Sequence, residues 1–247
     1  EFRRVLFRSQ VYAGALEVAA GTIPEGYRWV GSLLGIGGTI RGGLGQLENF
    51  LARSDELSRL FHEEGLFYYA YLRFYVANDR TGTLSYLEQQ QPDVFHNHLM
   101  TYLLTSLYMQ SQQSERALSL IEGRNQSPGY LQTPLWELES AHAKLYRMDP
   151  AAEQLYLRFL GSFRGNSRIK DAFKRLSWWY YLQGNFDKAQ EYRKRILKTG
   201  KAITDADKQA LQEAKTSSWP DPLLLKDRKS TRLTSSHGYI SYAVFCL

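Results

Sequence analysis

Three places in this 247-residue chain hold residue types with chemistry in them. The first is "DVFHNHLM", where His96 and His98 stand two apart with Asp93 nearby, the outline of a His-x-His metal pair. Positions two apart on a helix do not face one another, so both imidazoles could bind one metal only on extended backbone. The turn-type residues just before them predict a frayed helix start, with exposed or capping histidines. The second is "GIGGTIRGGLG", Gly35 to Gly45, where glycine would let backbone amides approach a phosphate at a helix start. It lacks a Gly-Lys-Ser/Thr ending, Ile40 occupies the third glycine place of a dinucleotide fingerprint, and its flanks read as helices. A hairpin turn is expected instead, with Gly42 and Gly43 permitting close helix packing. The third comprises the aromatic runs "LFYYAYLRFY", Leu66 to Tyr75, and "WWYY", Trp178 to Tyr181. At helical spacing most of these residues belong in a core, yet four consecutive aromatics are not expected all to point inward.

Other candidates are weaker. His62 and His142 are isolated from any serine or cysteine arrangement that would make a triad. Glu63 with Glu64, and Asp205 with Asp207, sit in charged stretches that read as solvated faces and not as acid/base pairs. No catalytic residue, cofactor or metal ligand is expected. Were the chain an enzyme, or a helical domain binding a small ligand or metal, the Gly35–Gly45 turn or His96/His98 would carry that role.

The elements that must position these residues cannot be read until the chain ends are judged. "EFRRVLFRS", residues 1–9, can be encoded as GAG TTC AGA CGT GTG CTC TTC CGA TCT. The reverse complement, read from its second base, gives D R K S T R L N S. Residues 227–235 read the same except for Thr234 in place of Asn. Both stretches resemble translated sequencing adapters, and "GYISYAVFCL" resembles the continuation of the same oligonucleotide. Residues 1–9 and 227–247 are therefore expected to be non-native, and residues 10–226 to be one helical repeat domain. Setting the ends aside removes six of the 31 Lys/Arg and two of the 25 acids, so the net charge falls from +6 to +2. Such a near-balanced chain offers no electrostatic case for nucleic acid. Cys246 is set aside too, which leaves no thiol and no reading of the redox compartment. No apolar run reaches the ~20 residues of a spanning helix: "WVGSLLGIGGTI" stops at Arg41 and "GLFYYAYL" at Arg73. The chain begins without methionine, so the compartment and any preceding leader or anchor stay open.

Within residues 10–226, apolar positions recur at three-and-four spacing almost throughout, and alternation of the strand type is scarce. The prediction is an all-α protein of about a dozen short helices. Turn-type clusters separate them: "GTIPEG", "GIGG", "ANDRTG", "QQQPD", "RNQSPG" and "RGNS". Asp149 before Pro150 reads as an N-cap, and Thr204 with Asp207 as a capping box. A repeat follows. In "IKDAFKRLSWWYYLQGNFDKAQEYRKRIL", Phe173, Leu176 and Tyr180 line one face, Gly184 and Asn185 turn, and Phe186, Ala189 and Tyr192 open the next helix. An earlier copy puts Leu104, Tyr108, Ala117 and Ile121 at equivalent offsets, and Ala152 takes the crossing position between them. Ala117, Ala152 and Ala189 fall 35 and then 37 residues apart.

This pattern resembles the tetratricopeptide repeat, whose small Ala lets the second helix lie on the first and whose period is ~34 residues. The departures are Ser177 in place of a small glycine, Arg193 in place of a second aromatic, and no proline after the second helix. Residues 10–226 also resemble bacterial relatives of a eukaryotic tetratricopeptide family associated with outer mitochondrial membranes and inclusion-body clearance. The stretches that carry this are "GYRWVGSLLGIGGTIRGGLGQL", "SRIKDAFKRLSWWYYLQGN" and "TDADKQALQEAK" followed by "DPLLLK". The resemblance implies an α-solenoid of antiparallel helix pairs that continues into another pair after Lys226. It brings no catalytic residues. It implies a non-enzymatic scaffold binding a protein or peptide on its concave face. By family geometry Trp178 and Tyr181 face that side, with Tyr102 and Met109 at matching positions and Lys144 and Lys174 framing them.

Overall fold

The computed structural model describes residues 2–27, 37–216 and 218–221, with the side chains of residues 2–9 and of Leu57 left aside. Parts of the motifs above lie outside the described residues: Arg28–Ile36, with the first two residues of the glycine-rich turn, and Pro222–Leu247, with the terminal cysteine. The described residues form an all-helical protein with no strand. In chain order the helices are α1 (Phe2–Gly21), α2 (Ile40–Leu51), α3 (Glu56–Leu60), α4 (His62–Tyr75), α5 (Arg80–Gln90), α6 (His98–Gln110), α7 (Ser114–Gly123), α8 (Leu135–Tyr146), α9 (Ala151–Ser162), α10 (Ile169–Leu182), α11 (Phe186–Lys198) and α12 (Asp205–Lys215), with a 3-10 turn at Glu25–Tyr27. The predicted turn clusters at 77–82, 89–93, 124–129 and 164–167 all fall at or beside helix ends. The chain divides into two compact units, Glu1–Leu103 and Leu104–Leu247.

In the first unit α1 packs closely on α2, and α4 packs against α1, α2, α3 and α5. Gly43 makes the first of these contacts possible. A Cβ there would lie 2.4 Å from the Gly14 carbonyl oxygen and 2.6 Å from the Val18 nitrogen, which is backbone and cannot move aside. The close-packing role expected of Gly43 is thus observed. The aromatic run on α4 is buried on every side, from Leu66 to Leu72 and again at Phe74. A helix hydrophobic all round has no solvent face and must be surrounded. Each large side chain removed from water this way contributes about 1.5–3 kcal/mol.

In the second unit α7 packs on α8, α8 on α9, α9 on α10, and α10 on α8, α11 and α12. Three of the tight turns use one device. Gln112, Met148 and Gly184 adopt left-handed φ values of 63°, 56° and 76°, spaced 36 residues apart each time. Their N–H groups donate to carbonyls three residues back, on Met109, Leu145 and Tyr181. The next residues, Gln113, Asp149 and Asn185, donate to carbonyls five back, on Tyr108, Lys144 and Tyr180. This paired pattern satisfies the last free carbonyls of a helix and reverses the chain. Asn185 Oδ1 then accepts from Lys188 N and caps α11, whereas Asp149 Oδ1 accepts from Ala151 N one residue ahead of Pro150, which holds the N-cap place of α9. Ala117, Ala152 and Ala189 are fully buried, as crossing residues must be. Phe173, Leu176 and Tyr180 are buried as expected, but Phe186 is 61% exposed and meets only the rim of the hairpin, edge to face on Tyr181.

The far end of this unit is tied by side chains. Asp207 is fully buried and makes the predicted capping box with Thr204. Its carboxylate also accepts from the backbone N–H of Arg168, Lys170 and Asp171, at 2.7, 3.1 and 3.2 Å. One carboxylate therefore caps α12 and α10 together. Lys170 Nζ donates to the Ile196 and Thr199 carbonyls at the end of α11. Arg193 does the same for α12, donating to Glu213 O and Thr216 O.

Candidate functional site

The two ligand-site candidates come out differently from one another. Gly42 lies inside the first turn of α2, its N–H donating to Thr39 Oγ1 at 2.9 Å. The carboxylate of Glu17, from α1, sits at the same helix start: it accepts from Thr39 N at 3.5 Å and from Gln46 Nε2. A helix N-terminus favours negative charge, and here the chain's own carboxylate supplies it. Gly38 and Gly42 leave the room it needs, since a Cβ at either would lie within 2.3 Å of Glu17 atoms. His96 Nδ1 hydrogen-bonds Asp93 Oδ2 at 2.9 Å, both side chains more than half exposed. His98 begins α6 on the other side of Asn97, which caps the helix through Met100 N. Among the described residues no group of three or more His, Cys, Asp or Glu side chains could hold a metal ion.

The six residues assigned to a partner face have separate surroundings. Tyr102 lies in the first unit and is half-buried. The other five lie in the second. Met109 is half-buried near the end of α6. Lys144 Nζ is held by Asp149 Oδ2 at 3.0 Å across the α8–α9 turn. Lys174 and Trp178 were expected to be exposed and are not, at 3% and 6% of their surface. The reason is the place of α10, which is packed on four helices: all twelve residues from Ile169 to Tyr180 are buried. Three of the four aromatics in "WWYY" therefore do point inward, and only Tyr181 is partly open. Lys174 Nζ lies 5.0 Å over the Trp178 ring and 3.2 Å from Asp171 Oδ1.

Trp178 nonetheless borders open space. A cavity of about 240 Å³ lies between α10, α11, α12 and the residues after α12, lined among others by Lys174, Ser177, Trp178, Arg193, Ile196 and Trp219. Trp219 stacks on Tyr181, ring centres 4.6 Å apart and planes 6° from parallel, and the Arg193 guanidinium lies 4.6 Å over the indole. Arg193 also donates to the Ser218 carbonyl at 2.9 Å. Trp219 and Arg193 were not among the expected site residues. Arg193 had left a trace, standing where the repeat pattern has an aromatic; Trp219 had none.

Beside the cavity α8 and α10 share a buried ionic cluster. Asp171 Oδ1 lies 3.2 Å from Lys174 Nζ and 3.4 Å from Arg175 Nε, and its Oδ2 lies 3.4 Å from His142 Nε2. Burial alone would raise the Asp171 carboxyl, but Arg175, Lys174 and His142 together hold it well below the usual carboxylate range. Glu139 is pulled down similarly, against its burial, by His142 and Arg168, whose NH1 is 3.0 Å away. Arg175 reaches the Tyr146 hydroxyl at 3.0 Å. Burial drives the Tyr156 phenol well above its ordinary value. A histidine between two carboxylates could move protons, but these groups are closed in by packed helices, and of them only Lys174 lines the cavity. The cluster joins α8 to α10.

No family model, no curated protein and no solved structure matches the chain. No described helix is long and apolar enough to cross a membrane.

Proposed function

We propose that the chain is a non-enzymatic helical-repeat scaffold of tetratricopeptide type that binds a protein or peptide partner. The observation that carries this is the reversal at Gln112, Met148 and Gly184, repeated every 36 residues with the same two hydrogen bonds. A fixed period in the turns, with a buried alanine at each following crossing, is what stacked helix pairs require, and such stacks offer extended concave surfaces. On this reading α6–α7, α8–α9 and α10–α11 are successive antiparallel pairs of an α-solenoid. Of the six residues expected on a partner face, Met109, Lys144, Lys174, Trp178 and Tyr181 belong to the second unit, and the face is assigned to these. Trp178 and Lys174 support it from beneath, as walls of the cavity, while Met109 is half-buried and Tyr181, half-buried, carries Trp219 on one face of its ring.

A displayed random-peptide library panned on the full chain tests the proposal. Enriched peptides should bind in fluorescence anisotropy and lose about tenfold in affinity on Tyr181→Ala or Met109→Ala, the loss expected of a modest interface contact of about 1.4 kcal/mol. A library without enrichment, or peptides indifferent to both substitutions, would count against it.

A further inference from the structure

The residues after α12 lie on the second unit in a way that differs from the turns elsewhere in it. Thr216 and Ser218–Asp221 belong to no helix. They are held from outside, by side chains of rigid helices. Arg193 on α11 donates to the main-chain carbonyls of Thr216 and Ser218, and the Trp219 indole stacks on Tyr181 of α10 while lying under the same guanidinium. The indole is half-buried, packed against the core without belonging to it. Beneath it the space bounded by Trp178, Ile196 and Lys174 remains open.

We infer that the groove of α10, α11 and α12 is a receptor for an extended peptide anchored by a tryptophan, and that Ser218–Asp221 occupy it in cis, with Trp219 as the anchor. This rests on the scaffold reading and names the partner class for the Trp178–Tyr181 end of the proposed face. The contacts are those by which one protein takes an extended segment from another: an arginine on main-chain carbonyls and an aromatic anchor over a pocket. Thr216 is the C-cap of α12 and stays with it; Ser218–Asp221 belong to no helix, so releasing them breaks none. A tethered segment competes at an effective concentration on the order of millimolar, so the groove stays closed until a stronger tryptophan-bearing segment arrives. The choice of tryptophan follows from the occupant itself, whose indole meets Tyr181 and Arg193 simultaneously.

The test uses the full chain, a Trp219→Ala variant, and a labelled synthetic hexapeptide, Thr-Ser-Ser-Trp-Pro-Asp, with the sequence of residues 216–221. The Trp219→Ala chain should bind the hexapeptide about tenfold or more tighter than wild type does, by fluorescence anisotropy. The same peptide with Ala for Trp should bind neither chain, and adding Arg193→Lys to the Trp219→Ala chain should weaken binding again. Equal binding to both chains, or none to Trp219→Ala, overturns the inference. So does a Trp219→Ala chain that no longer unfolds cooperatively, because the indole would then be a core residue and not an anchor. A wild-type dimer that Trp219→Ala converts to monomer would make a second copy's segment the occupant and overturn the cis assignment. The independent measurement is fluorine NMR of the wild-type chain carrying fluorotryptophan, in which excess hexapeptide should shift the Trp219 resonance and leave that of Trp179 in place; an unmoved Trp219 signal counts against displacement. Failure here is separable from failure of the scaffold reading. Library peptides that bind through Tyr181 yet lack tryptophan and ignore Trp219→Ala would sink this inference alone, whereas an unenriched library together with a hexapeptide that binds neither chain would sink both.

Discussion

At the scale of single residues, Trp178 shows how a sequence pattern can mislead. Its neighbours gave no sign in the sequence that α10 would be covered on all sides, because the helices that cover it, α8, α9, α11 and α12, come from separate stretches of chain. Helical spacing puts most of the aromatic run in the core, and it was the geometry implied by the tetratricopeptide resemblance that turned Trp178 to a concave face with Lys174 framing it. The observed burial changes the expected outcome of mutating it. Trp178→Ala should lose about 3–5 kcal/mol of stability, read as a lower urea midpoint, since a large indole is replaced by empty space next to an existing cavity. A variant that keeps the wild-type midpoint would return Trp178 to the surface. Lys174 was equally illegible. Its charge is tolerated inside only because Asp171 and the Trp178 face meet it there, and a lysine three residues after an aspartate reads on paper as an ordinary exposed pair.

At the scale of elements the sequence was more informative, because turn and cap chemistry is local. Gly184 with Asn185 and the Thr204–Asp207 box each depend on residues within a turn of one another, and each is where the spacing placed it. The cap expected at Asp149 falls one residue early, since Pro150 holds the N-cap place of α9 while Asp149 Oδ1 accepts from Ala151 N. What local chemistry could not reveal is that Asp207 also caps α10, reaching Arg168 N from 39 positions away. Nor could it show that Gln112 and Met148 take the left-handed place that Gly184 fills. That substitution carries a measurable cost. Only glycine adopts this conformation freely, a side chain losing roughly 1 kcal/mol there. Gln112 is exposed, so Gln112→Gly sheds no packing and should stabilise the second unit by about 0.5–1 kcal/mol. Gly184→Ala should destabilise it by about the same amount; a Cβ there meets no atom within 4 Å, so backbone strain alone is in play. Thermal melts of the two variants should move in opposite directions, and a shift of the same sign in both would mean that the two reversals are not one device.

At the scale of the whole molecule, the buried ionisable groups set the range of pH in which the fold is stable. Asp171 and Glu139 have carboxyls held below their ordinary range in the folded chain. Their contribution is fully present above the unfolded value of about 4 and is lost as pH falls through and below it. Tyr156 and Tyr180 shift the other way, pushed up first by burial, with the Glu153 carboxylate accepting from the Tyr180 hydroxyl. A phenol raised in the folded state contributes below its unfolded value of about 10 and loses that contribution as pH climbs past it. Stability should therefore be flat from about pH 5 to about pH 9 and fall on both sides. Urea midpoints followed by helical circular dichroism across that range would trace the plateau. Because the chain forms two compact units, a second transition is expected to separate at the acid end, where the carboxylates of the cluster between α8 and α10 are protonated and leave Arg168, Lys174 and Arg175 without their counter-charges. Asp171→Asn is the control. It leaves Lys174 and Arg175 buried without their carboxylate, so the neutral plateau should drop by about 3 kcal/mol while the acid limb becomes shallower. A plateau that drops with an unchanged acid limb would mean that Asp171 packs the interface without titrating there. The acid slope would then belong to more exposed carboxylates such as Asp79, which Arg73 and the Gly82 amide also hold below their usual range against a partial desolvation.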